Sequence, residues 1–174
     1  MSTVWYFAYG SNMQSATLRG RRGIEYRRAL PGRVAGWRLV LDKPPVVSVG
    51  GAFANIVADP SSAVLGVLFE ITPDDLAHLD LTEGVIIGNY HRVEVTAQPL
   101  IDDSDVVVAH TLTSERRDPL ARPTQRYMSL LLDGAIEHGL PDDYIAFLRS
   151  IPTGEETPQS LELRPFMDEF MKKR

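Results

Sequence analysis

Cysteine is absent from the 174 residues, which removes disulfide frameworks, thiolate nucleophiles and cysteine-ligated zinc together. Histidine is scarce, and His78, His91, His110 and His138 lack metal-ligand spacing, so they read as surface residues. No apolar run approaches the ~20 residues that span a bilayer. The first residues also lack the basic-then-apolar pattern of a secretion signal, so a cytoplasmic protein with no membrane partner is expected. Neither a P-loop nor a G-x-G-x-x-G fingerprint occurs, and nucleotide cofactors are not expected. Ser11 has no nucleophile-elbow context. A net charge of −5 argues against general nucleic-acid binding. Of the 18 basic residues 15 are arginine, and Arg19, Arg21, Arg22, Arg27, Arg28 and Arg33 crowd one stretch that reads as a solvated, partly ion-paired surface.

What is present points to one domain over residues 1–174, with ordinary globular composition. The chain is organised around Val4 to Met13, V-W-Y-F-A-Y-G-S-N-M. An apolar β-branched and aromatic run, the pattern of a buried strand, stops abruptly at Gly10-Ser11-Asn12. Gly10 tolerates backbone angles closed to other residues. Ser11 or Asn12 is placed to cap a helix through Met13, Ala16 and Leu18, ending near Gly20 and Gly23. Such a turn offers backbone N–H groups to an anion such as a carboxylate, and it is equally an ordinary strand–turn–helix joint.

With the opening run, about six strands concentrate in the first two thirds of the chain. Arg33 to Asp42 alternates; Val46 to Ala58 carries Gly50-Gly51; Asp59-Pro60-Ser61-Ser62 reads as a turn before Val64 to Ile71. Arg92 to Ala97 and Val106 to Leu112 form a hairpin around Asp102-Asp103-Ser104-Asp105. Thr72-Pro73-Asp74-Asp75 starts a helix with Leu76 and Leu79 on its apolar face, closed by Gly84. Helices are expected over Arg126 to His138 and from Pro141, where Tyr144, Phe147, Leu148 and Ile151 share a face. Thr153 to Ser160 reads as a loop, with a short tail helix beginning at Pro165. The pattern is α+β, with the sheet curled into a small barrel.

Glu83 stands out. It lies seven residues after Leu76 and four after Leu79, so a helix that reaches it turns its carboxylate to the buried face. Burial and the negative end of the helix both disfavour the charged form, as a carboxylate that exchanges protons near neutrality requires. The alternative is a glutamate that bends out to solvent at a frayed end. Tyr90 and Tyr127, at a turn-to-strand junction and a helix start, read as core amphiphiles or ligand contacts.

Through Tyr6-Phe7-Ala8-Tyr9-Gly10-Ser11-Asn12-Met13 and Glu83-Gly84-Val85, the sequence resembles the γ-glutamylcyclotransferases. The likeness runs on through Gly50-Gly51, Leu79-Asp80, Gly88-Asn89-Tyr90, Gln125-Arg126-Tyr127 and Gly139-Leu140-Pro141 with Tyr144, in one collinear order. The resemblance implies a small mixed, mostly antiparallel β-barrel with surrounding helices. It also implies conversion of a γ-glutamyl amino acid or amine into 5-oxoproline and the free amine, without metal or cofactor. Carried over, Glu83 is the catalytic acid/base, Tyr6 to Asn12 hold the γ-glutamyl group, and Tyr90 and Tyr127 line its pocket. Ile86-Ile87 and Phe53 depart from the family pattern, and this bears on the leaving group rather than on the reaction. The Asn12-Met13 continuation disfavours the glutathione-specific branch. Two other readings are a non-catalytic relative that binds a small carboxylate, and a related γ-glutamyl hydrolase or acyltransferase. The sequence leaves open whether the chain is a monomer or a homodimer.

Overall fold

A computed structural model of the chain describes residues 2–47, 50–101 and 104–172. Five strands close into a barrel in the order β1–β3–β2–β4–β5. They are β1 (Val4–Ala8), β2 (Ala29–Lys43), β3 (Phe53–Ile71), β4 (His91–Pro99) and β5 (Val107–Thr113). Neighbours run antiparallel except at the seam, where β1 meets β5 in parallel through Trp5–Ala109 and Tyr6–His110. The expected mixed, mostly antiparallel barrel is what the chain forms, but with five strands rather than six.

The discrepancy sits in β3. The sequence reads Asp59–Ser62 as a turn, and locally it is one: Asp59 accepts the Ser61 amide and both the Ser61 and Ser62 hydroxyls. The chain does not reverse there. Ala58 faces Trp37 on β2 and Ala63 faces Ala35, so the turn is absorbed as a bulge in one continuous ladder. The preceding strand starts at Phe53 rather than Val46. Ser48 and Val49 in that stretch, and Asp102 and Asp103 of the hairpin turn, lie outside the described residues.

Helix α1 (Pro73–Thr82) is set by its N-cap: the Thr72 hydroxyl oxygen accepts the Asp75 amide at 3.1 Å. It is stopped by Gly84, whose φ of 71° only glycine adopts without strain. Helix α2 (Gln125–Glu137) is capped in the same way by Thr124, and its Gly134 presses on the chain after β1. A Cβ there would stand 2.5 Å from the Gln14 nitrogen and 2.6 Å from the Met13 carbonyl carbon, so glycine lets α2 brace the opening loop. Helix α3 (Asp142–Ser150) buries Ile145 and Leu148, while Phe147 is exposed, contrary to the expected face. Helix α4 (Pro158–Met171) starts seven residues before Pro165, because Thr157 caps it and Pro158 occupies its first turn. Among the described residues no helix is long and apolar enough to cross a membrane.

Candidate active site

The end of β1 and the end of α1 meet on one carboxylate oxygen. Gly10 leads into a 3₁₀ turn, Ser11–Met13, followed by an irregular helical segment, Ala16–Arg21. Neither Ser11 nor Asn12 caps a helix, as the sequence suggested; both lie inside the turn. Asn12 points inward instead, donating from Nδ2 to the Tyr6 hydroxyl at 3.0 Å and to Glu83 Oε1 at 3.2 Å. Glu83 is the residue that ends α1, its amide still bonded to Leu79, and its side chain is 16% exposed. It faces inward, as the spacing predicted.

Arg22 completes the arrangement, and sequence reasoning missed it. Read as one of a solvated run, it is 4% exposed. Nε donates to Asn12 Oδ1 at 2.9 Å, Nη1 to Thr82 Oγ1 at 2.8 Å, and Nη2 lies 2.5 Å from Glu83 Oε1. One guanidinium therefore fixes the loop asparagine and the glutamate, and supplies the positive charge that the C-terminus of α1 favours. The only sequence signal was its bracketing by Leu18 and Ile24, both fully buried.

Four tyrosines surround this cluster. Tyr9 donates to the Leu112 carbonyl and Tyr90 to the Ala54 carbonyl, so their protons are committed to backbone. Tyr127 accepts the Ala54 amide at 3.0 Å, and Tyr6 accepts from Asn12. Burial is the main cause pushing all four phenols up, Tyr127 to about 12, with the charge of Glu83 adding to it. They stay neutral at physiological pH and act as hydrogen-bonding groups, not as bases.

Behind Glu83 lies a second set of charges. Asn89 donates to the Glu83 carbonyl at 2.9 Å, and its Oδ1 accepts from both Lys43 (2.5 Å) and Arg116 (2.9 Å). Lys43 is 1% exposed, with its ammonium 4.6 Å from the Tyr90 ring centre. Burial, then the nearby Arg116 charge, pull its pKa down to about 8, against an opposing pull from Glu83. Folding therefore disfavours the Lys43 proton. Below pH 8 both states hold it and the penalty is full; between about 8 and the unfolded 10.5 the unfolded chain binds more protons, so stability rises with pH. Lys43→Met is accordingly expected to be at least as stable as wild type at pH 7.5, with its advantage shrinking by pH 9.5. Urea unfolding of both proteins at the two pH values checks this; an advantage that grows with pH contradicts it.

Of the residues expected at the site, Tyr6, Tyr9, Asn12, Tyr90 and Tyr127 gather around Glu83. Phe7 and Ala8 belong to the barrel wall, where both press on Gly66 of β3. Ser11 lies against Tyr127. Gly10 does not use angles closed to other residues: φ is −112° and ψ −147°. What it needs is space, because a Cβ would lie 3.2 Å from both Ala54 Cβ and the Tyr127 hydroxyl. Gly10→Val is expected to push Tyr127 off the Ala54 amide, at about 1–3 kcal/mol for the stranded donor, and to raise KM. Thermal midpoint and 5-oxoproline affinity measured together check it; normal values for both would make Gly10 a mere connector.

Phe53 sits edge-on to Tyr127 with ring centres 5.1 Å apart, and Ile86 and Ile87 project into solvent just after Glu83. His78, His110 and His138 are half-buried rather than superficial. His78 reaches the Arg22 and Met171 carbonyls, and His138 packs on Phe69. Among the described residues no three His, Cys, Asp or Glu side chains gather as metal ligands would.

Residues 63–148 match the AIG2-like family. The chain is 33% identical over 165 residues to γ-glutamyl cyclotransferase aclK of Aspergillus oryzae, spanning 84% of this chain and 60% of that protein. It is 30% identical over 151 residues to γ-glutamylcyclotransferase of Bos taurus, spanning 84% of this chain and 77% of that protein. A solved structure titled as a γ-glutamyl cyclotransferase superposes with a TM-score of 0.77 at 23% identity, covering 97% of this chain and 99% of that one; it shares the fold.

Proposed function

Because this chain belongs to the γ-glutamylcyclotransferase family, we propose that it converts a γ-glutamyl amide into 5-oxoproline and the free amine, with Glu83 carrying the proton. The observation that carries the reading is the convergence of Asn12 and Arg22 on Glu83 Oε1, which joins the opening loop to the carboxylate. Among the described residues both contacts fall on Oε1, and Oε2 is the oxygen offered for proton exchange.

In the reaction the substrate's α-amine attacks its own γ-carbonyl carbon. A ring C–N bond forms, and Glu83 takes the proton the amine loses. The tetrahedral intermediate collapses by breaking the original γ-amide C–N bond, and Glu83 returns the proton to the departing nitrogen. Proton transfer of this kind contributes roughly 10²–10⁴-fold. The opening loop, Tyr6 to Asn12, holds the substrate's glutamyl group and folds it toward ring closure. The Ser11 amide is already engaged by Tyr127 and the Met13 amide by the Gly10 carbonyl, so the α-carboxylate falls to other groups of the loop. The oxyanion needs a donor. Tyr9 and Tyr90 have given their protons to carbonyls, so Tyr6 and Tyr127, which accept from Asn12 and Ala54, are the phenols with a proton to offer. No step calls for a redox group or a Lewis acid.

Mass spectrometry of the products from a γ-glutamyl dipeptide tests the reading. We expect 5-oxoproline; glutamate would make the protein a hydrolase, a new adduct a transferase, and unchanged substrate a non-catalytic binder.

A further inference from the structure

Helix α1 grips Arg22 at both ends. The guanidinium reaches Thr82 and Glu83, and the Arg22 backbone carbonyl accepts from His78 Nε2 at 3.0 Å. His78 lies four residues before Thr82 and so shares its face of the helix. The same nitrogen stands 3.1 Å from the carbonyl of Met171, the last residue of α4. Both partners are carbonyls, which only accept, so Nε2 carries the hydrogen and divides it between them. Arg22 follows the irregular helical segment and Met171 ends α4, and carbonyls at helix ends lack an intrahelical donor. One ring N–H therefore serves two orphaned carbonyls, and one of these belongs to the residue that joins Asn12 to Glu83.

Helix α4 is inside out. Its less exposed positions, Ser160, Arg164, Asp168 and Met171, recur at helical spacing and are mostly polar, while Phe166 and Phe170 face solvent. None of its residues is buried. Polar contacts hold it instead: Asp168 Oδ1 accepts from Arg21 Nε at 2.6 Å, and Arg164 Nη2 donates to Glu156 at 2.6 Å. A surface helix ordinarily turns its apolar stripe to the core. This one turns a carboxylate onto the residue before Arg22 and its last carbonyl onto His78.

We propose that His78 is a positioning residue for Glu83, acting through Arg22, and that α4 is the latch that keeps the Arg21–Arg22 segment against α1. The proposal rests on the cyclotransferase reading and adds a remote group that sets its rate. With its carbonyl held, Arg22 presents the guanidinium to Asn12, Thr82 and Glu83 from a fixed backbone. Released, the same fork must find three partners from a segment free to shift, and a misplacement of about 1 Å far from the chemistry can cost on the order of 10²-fold. His78 acts on the orientation of Glu83, so the loss falls on kcat more than on KM.

The test measures kcat and KM of whole-chain variants on γ-glutamylalanine. His78→Leu keeps bulk and loses the donor, whereas His78→Gln places an amide N–H where Nε2 stands. We expect His78→Leu to lose roughly tenfold to a hundredfold in kcat with little change in KM, and His78→Gln to regain most of it. Asp168→Asn keeps an acceptor without the charge and should lower kcat severalfold. The Arg21–Asp168 pair is partly exposed, so high salt should bring wild type toward the same value and leave the variant where it is. Wild-type kcat in His78→Leu, an equal loss in His78→Gln, or a loss confined to KM overturns the positioning role. An unchanged kcat in Asp168→Asn overturns the latch, and each of these results leaves the cyclotransferase reading standing. If wild type forms no 5-oxoproline, that reading falls and the role of His78 with it.

Discussion

Glu83→Gln loses 5-oxoproline formation by at least two orders of magnitude and still binds substrate within a few fold of wild type. Glutamine keeps the length of the side chain, and its amide oxygen still accepts from Asn12 Nδ2 and Arg22 Nη2. What it cannot do is exchange a proton, so it removes the roughly 10²–10⁴-fold that acid/base transfer supplies. A stability cost comes with it, because Arg22 is left as a buried cation beside a neutral group. Removing one partner of a buried pair costs about 3–5 kcal/mol, and the retained acceptor keeps glutamine near the lower end. Against a typical domain stability of about 5–15 kcal/mol the variant stays folded. Calorimetric binding of 5-oxoproline with a product assay is the measurement; substantial turnover would assign the proton to another group.

Arg22→Met has the larger effect on folding. It deletes three donors at once, strands Asn12 Oδ1, and leaves Glu83 as the uncompensated charge at the negative end of α1. We expect a loss of about 3–5 kcal/mol, seen as a lower urea midpoint, with kcat falling more than KM rises because Asn12 and Glu83 lose their common anchor. Arg22→Lys should recover part of the stability but little of kcat, since an ammonium is a single point charge that cannot hold Asn12, Thr82 and Glu83 in one fork. Wild-type kcat in either variant would reduce Arg22 to packing.

Glu83 was legible for a simple reason: helical spacing from Leu76 and Leu79 carries a residue inward whatever its chemistry, and the Thr72 cap and Gly84 stop fixed where that helix lies. The hairpin was legible because its side chains alternate, and β1 because an unbroken apolar run marks a strand buried in the barrel. Arg22 was hidden because its sequence neighbours are charged and its partners are 10 and 60 residues away. Lys43 was hidden because its strand reads as apolar alternation that a lysine should end, and what holds it is Asn89, 46 residues on. Asp59–Ser62 misled in the opposite way. Its turn chemistry is real, but the ladder between β2 and β3 resumes beyond it and outweighs the local preference. At Pro165 a residue that begins helices elsewhere lies inside one, because the stronger Thr157-Pro158 start comes first.

The seam of the barrel has a consequence in time. β1 carries Tyr6 and leads into Asn12, and its parallel partner is β5; the Thr111 hydroxyl bonds the Phe7 carbonyl across 104 residues of chain. Helices, and the hairpin of β4 and β5, form from local contacts, whereas the seam must wait for a long loop to close. Pairing of β1 with β3, just before α1, is what brings Asn12 to Glu83. The seam then completes the tyrosine wall, because Tyr9 reaches the Leu112 carbonyl on β5, and we expect its closing to be among the later steps of folding.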